Sequence, residues 1–387
     1  MRETLTFCVP CLFGVESLAA QELREMDLEN VRAENGRVLF SGGWEAMARA
    51  NLNCRFGERV LLLLGEFPAR SFEELFQGVR AIPWEEFLGR EDAFPVTGSS
   101  LSSQLHSVPD CQSIIKKAVV ERLKGKYSLS WFPETGPLHR IRFRILKDQV
   151  SLMVDTSGEG LHKRGYRAKS NTAPIKETLA ASLCKLSRLR SDGHLIDPFC
   201  GSGTILVEGA LLAWNIAPGL GRAFTAQTWG NVPASLWERE RERARSLERR
   251  DSGFRAQGFD IDPASVELTL ENARKAGVEQ AVSASVRDIR DFSQEDPYGC
   301  MVCNPPYGER LLDVRQAEEL YQVLGRVFQP RRGWSLGVIT PDGNFETLFG
   351  RRADKRRKLY NGMIQCQYYQ YFKGEGKGRE SAAKAAG

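Results

Sequence analysis

No apolar run in these 387 residues approaches the ~20 that cross a bilayer. The longest candidate, Val60 to Leu64, reads as a buried strand, so no membrane span is expected. The first residues, Met1 to Cys11, lack a basic segment followed by a long apolar stretch and a small-residue cleavage site, and carry an early Glu3 instead. A cytoplasmic location is the expectation. Cysteine does not occur in the even complement of a disulfide framework: the nine are scattered, as suits reduced thiols. Two pairs have CxxC spacing, Cys8/Cys11 and Cys300/Cys303, and a zinc reading would join them into one four-thiolate site. Cys300 and Cys303 lie in a strand-like stretch, however, where side chains three apart point to opposite faces. Buried small hydrophobes and no metal are therefore expected. There is no internal repeat.

What is present describes an ordinary folded chain, with 42% hydrophobic and 27% charged residues. The length calls for two or three domains. The net charge of +5 is modest, but its distribution is uneven. From Arg140 to Lys169 there are eight Lys/Arg against three Asp/Glu, and from Gly350 to Gly387 ten against three. Such clusters suit a polyanionic partner, and equally a solvated basic surface.

The pattern divides into three stretches. Residues 1–64 read as strand, helix, strand, helix, strand, a small α+β unit: Leu5–Cys11, Glu16–Glu25, Val38–Phe40, Trp44–Asn51 and Val60–Leu64. Residues 65–167 form a second unit, with helices at Ser71–Val79 and Pro109–Lys124 and a strand around Ala93–Thr97. Its strand pair, His139–Ile145 and Val150–Asp155, turns at Lys147-Asp148, and its Gly-rich, basic exit runs from Ser157 to Arg167. From 168 to 372 helix and strand alternate, beginning with a helix at Pro174–Arg190, which predicts a doubly wound, mostly parallel α/β sheet with ligands at the carboxyl ends of its strands. Within it, Trp237–Arg250 alternates Glu and Arg and reads as a solvated helix laced by charge pairs. A disordered basic tail is expected over 373–387.

The first chemical motif is Asp197-Pro198-Phe199-Cys200-Gly201-Ser202-Gly203-Thr204, between an apolar strand and a helix. Gly201 and Gly203 allow a tight turn and close approach of a ligand. A phosphate loop would need Lys here, and a dinucleotide fingerprint a third Gly where Leu206 stands. The ligand is thus an adenosine-type cofactor without a diphosphate, and S-adenosylmethionine fits, with Asp197 accepting from its amino group. The next strand ends Phe259-Asp260-Ile261-Asp262, where Asp260, or second Asp262, can accept the ribose hydroxyls. The one after ends Arg287-Asp288-Ile289, where Asp288 can accept from the adenine amine while Ile261 or Ile289 covers the ring.

The fourth strand end carries Asn304-Pro305-Pro306-Tyr307. An exocyclic amine on a base is a poor nucleophile because its lone pair is delocalised into the ring, and methylating it requires acceptors that hold its N–H bonds. The Asn304 side-chain oxygen and the Pro305 carbonyl are candidates, on a backbone stiffened by Pro305 and Pro306. Tyr307 offers a face for a flipped base, a role that uses its ring rather than its hydroxyl. Pyrimidine carbon methylation would instead need a cysteine nucleophile at this strand end. Cys303 precedes the motif and Cys200 lies in the earlier loop, so both read as structural.

These motifs resemble the THUMP-domain class I RNA methyltransferases of the RlmL/YpsC family over nearly the whole chain. Supporting segments are Phe13-Gly14-Val15-Glu16, Ser102-Ser103, Ile114 to Ala118, Asp155 to Gly158, Leu161 to Arg167, Ala173 to Glu177 and Leu359-Tyr360-Asn361-Gly362. The resemblance implies a ferredoxin-like domain, a THUMP domain that grips RNA, and a Rossmann-like catalytic domain methylating guanine N2 in large-subunit ribosomal RNA. It adds Ala173, Pro174, Phe199 and Thr204 to the cofactor site. For RNA it points to Ser102, Ser103, Lys116, Lys117, Lys163, Arg164 and Arg167, with Lys355, Arg356, Arg357 and Lys358 from the second basic cluster. The longer relatives carry a second methyltransferase half, so one modification is expected here. Adenine-N6 methylation of RNA or DNA shares the Asn-Pro-Pro-Tyr motif, and a non-catalytic RNA-binding assembly factor is the reading from another class. The motif does not separate guanine N2 from adenine N6.

Overall fold

A computed structural model describes residues 4–167, 175–307, 314–329 and 332–372. The chain forms two compact units: residues 1–11, 16–161 and 219–244 in one, and 12–15, 162–218 and 245–387 in the other.

In the first unit the elements are β1 (Leu5–Pro10), α1 (Glu16–Glu25), β2 (Glu29–Glu34), β3 (Arg37–Gly42), α2 (Trp44–Asn53), β4 (Leu61–Pro68), α3 (Phe72–Ala81), β5 (Val96–Leu101), α4 (Val108–Tyr127), β6 (Ile141–Leu146) and β7 (Gln149–Asp155). Local chemistry sets several bounds. Ser71 and Glu74 close a capping box at the start of α3, and Ser107 caps α4. Lys147 and Asp148 both take positive φ in the two-residue turn between β6 and β7, as a tight hairpin requires.

All seven strands join one sheet, in the order β2-β3-β1-β4-β7-β6-β5. β4 pairs with β1 on one side and with β7 on the other, so the first two sequence units share a strand. The division expected between residues 64 and 65 falls inside β4.

The second unit contains α5 (Glu177–Leu186), β8 (His194–Asp197), α6 (Thr204–Ala213), β9 (Arg255–Asp260), α8 (Pro263–Lys275), β10 (Val282–Val286), β11 (Gly299–Cys303), α9 (Val314–Val327), β12 (Trp334–Thr340), α10 (Phe345–Phe349), β13 (Lys355–Asn361) and β14 (Ile364–Tyr371). Its strand order is β10-β9-β8-β11-β12-β14-β13. The first five strands run parallel and β14 antiparallel to its neighbours. Chain order reverses between β8 and β11, the switch point at which such sheets bind ligands. Beneath the sheet Tyr321, Phe345, Phe349, Tyr369 and Tyr371 pack ring on ring.

Between α6 and β9 the chain contributes α7 (Ala234–Ser246), which corrects the solvated-helix expectation. Leu236, Trp237, Glu240 and Ala244 are buried, Trp237 stacks on Phe224 at 5.2 Å, and Glu240 takes a two-pronged pair from Arg49 at 2.8 and 2.9 Å. Alternating charges concealed an apolar stripe at helical spacing.

All nine cysteines are buried. Burial raises the Cys8 thiol to about 11 and Cys11 and Cys300 to about 12, and pushes Cys303 up as well. Thiols held protonated in this way are inert. Among the described residues no cluster able to hold a metal ion occurs, and no helix is long and apolar enough to cross a membrane.

Candidate active site

The loop leaving β8 is built by glycine and tied from behind. Gly201 and Gly203 hold φ of +53° and +74°. A Cβ on Gly203 would lie 2.7 Å from Thr269 Cγ2, whereas one on Gly201 would meet nothing within 4 Å. Thr269 Oγ1 donates to the Gly201 carbonyl at 2.9 Å and Asn272 Nδ2 to the Ser202 carbonyl at 2.9 Å, both from α8. Neither residue was singled out in the sequence. Their signal was available, as two polar side chains three apart on the buried stripe of α8.

Asp260 completes the clamp. Its Oδ2 accepts from the Gly201 amide at 2.9 Å and its Oδ1 from the Asp262 amide at 3.0 Å. Each oxygen retains capacity for a further donor. Asp262 differs, since its carboxylate caps α8 by accepting from the Ala264 and Ser265 amides and the Ser265 hydroxyl, which lowers its pKa. Asp197 is fully buried, accepts from the Phe199 amide at 3.1 Å, and has no ion pair among the described residues. Burial, helped by the neighbouring Asp260, raises it to about 8.

Asp288 accepts from the Arg290 amide and pairs with the Arg290 guanidinium at 2.8 Å. The two isoleucines separate clearly. Ile289 is 3% exposed within the core and cannot cover a ligand, while Ile261 is 71% exposed beside Asp260. The Phe199 side chain packs against that core, and the buried Thr204 hydroxyl is taken by Arg167 Nη2 at 2.5 Å. Ala173 and Pro174 lie outside the described residues.

Strand register places Asn304 beside this loop. Ile196 of β8 pairs with Met301 of β11, so Asn304 stands just beyond the carboxyl end of the neighbouring strand. Its Oδ1 is buried and has no hydrogen-bond partner among the described residues. Pro305 is buried and Pro306 half-buried. Tyr307 is also half-buried, and its hydroxyl accepts from Asn361 Nδ2 at 2.8 Å, with burial raising it to about 12. The hydroxyl is thus engaged by a second element of the sheet. Cys303 and Cys200 are both buried, and burial raises both thiols.

The structure sorts the basic residues into buried and exposed. Arg164 is 5% exposed and faces Glu208 at 3.4 Å, so burial overrides its expected contact with RNA. Lys116 is likewise occupied, by Glu134, the Phe94 carbonyl at 3.1 Å and the Phe94 ring at 3.6 Å. Arg167 bonds the Ile175 carbonyl at 3.0 Å and Glu177, Arg356 pairs with Glu346, and Arg357 donates to the Gly14 carbonyl. Ser103 closes a local turn with Leu101 and Asp148. Ser102, Lys117, Lys163, Lys355 and Lys358 remain exposed.

Residues 164–370 match the RMKL-like methyltransferase domain. This chain belongs to that methyltransferase family. Residues 6–61 match the RlmL ferredoxin-like domain and 69–155 the THUMP domain. The methyltransferase is similar to YpsC of Bacillus subtilis, an RNA methyltransferase by name, at 42% identity over 93% of this chain and 94% of that one. It is 34% identical to ribosomal RNA large subunit methyltransferase K/L of Psychromonas ingrahamii over 95% of this chain, and spans about half (50%) of that longer protein. Among solved structures, SMU.472, a methyltransferase by name complexed with SAH, superposes with a TM-score of 0.91 at 42% identity, covering 97% of this chain and 100% of that one.

Proposed function

We propose that this methyltransferase transfers a methyl group from S-adenosylmethionine to the exocyclic N2 of a guanine in large-subunit ribosomal RNA. The observation that carries the reading is the buried Oδ1 of Asn304 at the switch point, which has no partner among the described residues. A buried acceptor without a donor costs ~1–3 kcal/mol, a penalty removed when an amine N–H arrives. Asn304 Oδ1 and the Pro305 carbonyl accept the two N–H groups and aim the nitrogen lone pair, while the Tyr307 ring stacks on the base.

The cofactor supplies a methyl group made electrophilic by a positively charged sulfur. The residues present fit it. Asp197 is a buried carboxyl with no cation beside it among the described residues, which favours a positively charged ligand. Asp260, held by two backbone amides, is aimed to receive the ribose hydroxyls, and Asp262 is committed to its helix cap. Ile261 offers an exposed apolar face for the adenine, and Gly201 leaves room where any side chain would intrude.

The guanine and ribosomal assignments rest on the similarity to the K/L enzymes together with the THUMP domain. The exposed Ser102, Lys117, Lys163, Lys355 and Lys358 are the proposed RNA contacts, in the cytoplasm. The test is nucleoside analysis of ribosomal RNA from a strain lacking the gene, followed by methylation of that RNA with the purified protein. Appearance of N2-methylguanosine supports the proposal. N6-methyladenosine would move the substrate to adenine, and no methylated nucleoside would refute the ribosomal assignment.

A further inference from the structure

The segment Leu359-Tyr360-Asn361-Gly362 has no part in the chemistry above, yet it lies at the end of β13, in the hairpin that closes the catalytic sheet. By register Gln367 of β14 stands opposite Thr340, the last residue of β12. Residues 361–366 therefore extend past β12 on the carboxyl edge, where Asn304 to Tyr307 also lie. Gly362, at φ +64°, makes the two-residue turn that returns the chain. Asn361 reaches Tyr307 from this overhang, its Nδ2 donating to the Tyr307 hydroxyl at 2.8 Å.

Resting on the function proposed above, we infer that Asn361 is a positioning residue: by holding the Tyr307 hydroxyl it sets the plane on which the target base stacks. A ring used only as a face needs no hydroxyl. Here the hydroxyl is withdrawn from water and bonded by a second element, which removes the rotation that the ring of a half-buried tyrosine otherwise keeps. Pro305 and Pro306 stiffen the backbone up to Tyr307, and Asn361 fixes the ring that they leave free.

The test uses the full chain, labelled S-adenosylmethionine and ribosomal RNA from a strain lacking the gene. Asn361→Ala and Tyr307→Phe remove the same bond from opposite ends, and each should lower kcat/KM about ten-fold, mostly through KM. The double variant should be no worse than either single one, while SAH affinity by calorimetry stays unchanged. Wild-type kinetics in Tyr307→Phe, or defects that multiply in the double variant, overturn the inference. Fluorotyrosine placed at position 307 gives a readout that does not need RNA: one narrow fluorine resonance in the native chain, broadened in Asn361→Ala. An unchanged resonance refutes the positioning role. Failure of the native chain to methylate this RNA would instead refute the proposed function, with the resonance still deciding what Asn361 does.

Discussion

At the scale of single residues, the acceptor on Asn304 and the carboxyl of Asp197 are both costly to the folded chain without ligands. Asn304→Ala should therefore lower single-turnover methyl transfer by ~10²–10³ with little change in cofactor affinity, and should not lower the melting temperature. Near-native transfer in that variant would show that the amine is activated elsewhere. Asp197 carries a proton over most of the range below about 8. A cationic ligand stabilises its carboxylate and depresses that pKa, so binding expels a proton and is favoured by higher pH. Cofactor affinity should thus rise as pH increases from below towards about 8. Calorimetry across that range is the measurement. Asp197→Asn should flatten the profile, and a profile already flat in the native protein would remove Asp197 from the site.

At the scale of elements, the two loop glycines separate folding from binding. Gly203→Ala combines a left-handed backbone, worth ~1–2 kcal/mol, with a clash against Thr269, and should lower the melting temperature by several degrees. Gly201→Ala bears the same left-handed strain but meets no neighbour, so it should retain more stability than Gly203→Ala and should lose cofactor affinity, because its methyl points into open space. Equal loss of stability in both variants would contradict this. The glycine loop and the Asn-Pro-Pro-Tyr turn were legible in the sequence because backbone requirements restrict residue choice there. β2, Glu-Asn-Val-Arg-Ala-Glu, was not legible: it is an edge strand exposed along most of its length and shows no apolar alternation. β13 escaped for the same reason, as a basic edge strand, although Asn361-Gly362 is itself a turn signal. The acids at the strand ends were visible as candidates, but which carboxylate caps a helix and which stays available depends on local backbone bonds. Asp262 and Asp260 are distinguished by those bonds alone.

At the scale of the whole molecule, a shared strand makes the ferredoxin-like and THUMP segments one structural unit. Leu62→Pro in β4 should weaken amide protection in β1 and in β6–β7 together, as measured by hydrogen exchange. Loss confined to one side would show that the two halves unfold independently. The segment 219–244 extends the same point to the catalytic half of the sequence. It leaves between α6 and β9, buries Phe224, Trp229 and Trp237 in the first unit, and returns. Trp229 stacks on His139 at 4.4 Å and donates to the Leu138 carbonyl at 3.0 Å. A fragment beginning at 168 would uncover these rings and should precipitate, and co-expression with residues 1–167 should keep it in solution. A fragment soluble and monodisperse on its own would refute this. Cutting the chain at 168 therefore cuts through a core and not a linker: a catalytic half moved to a new partner carries with it a strip of its old neighbour's interior.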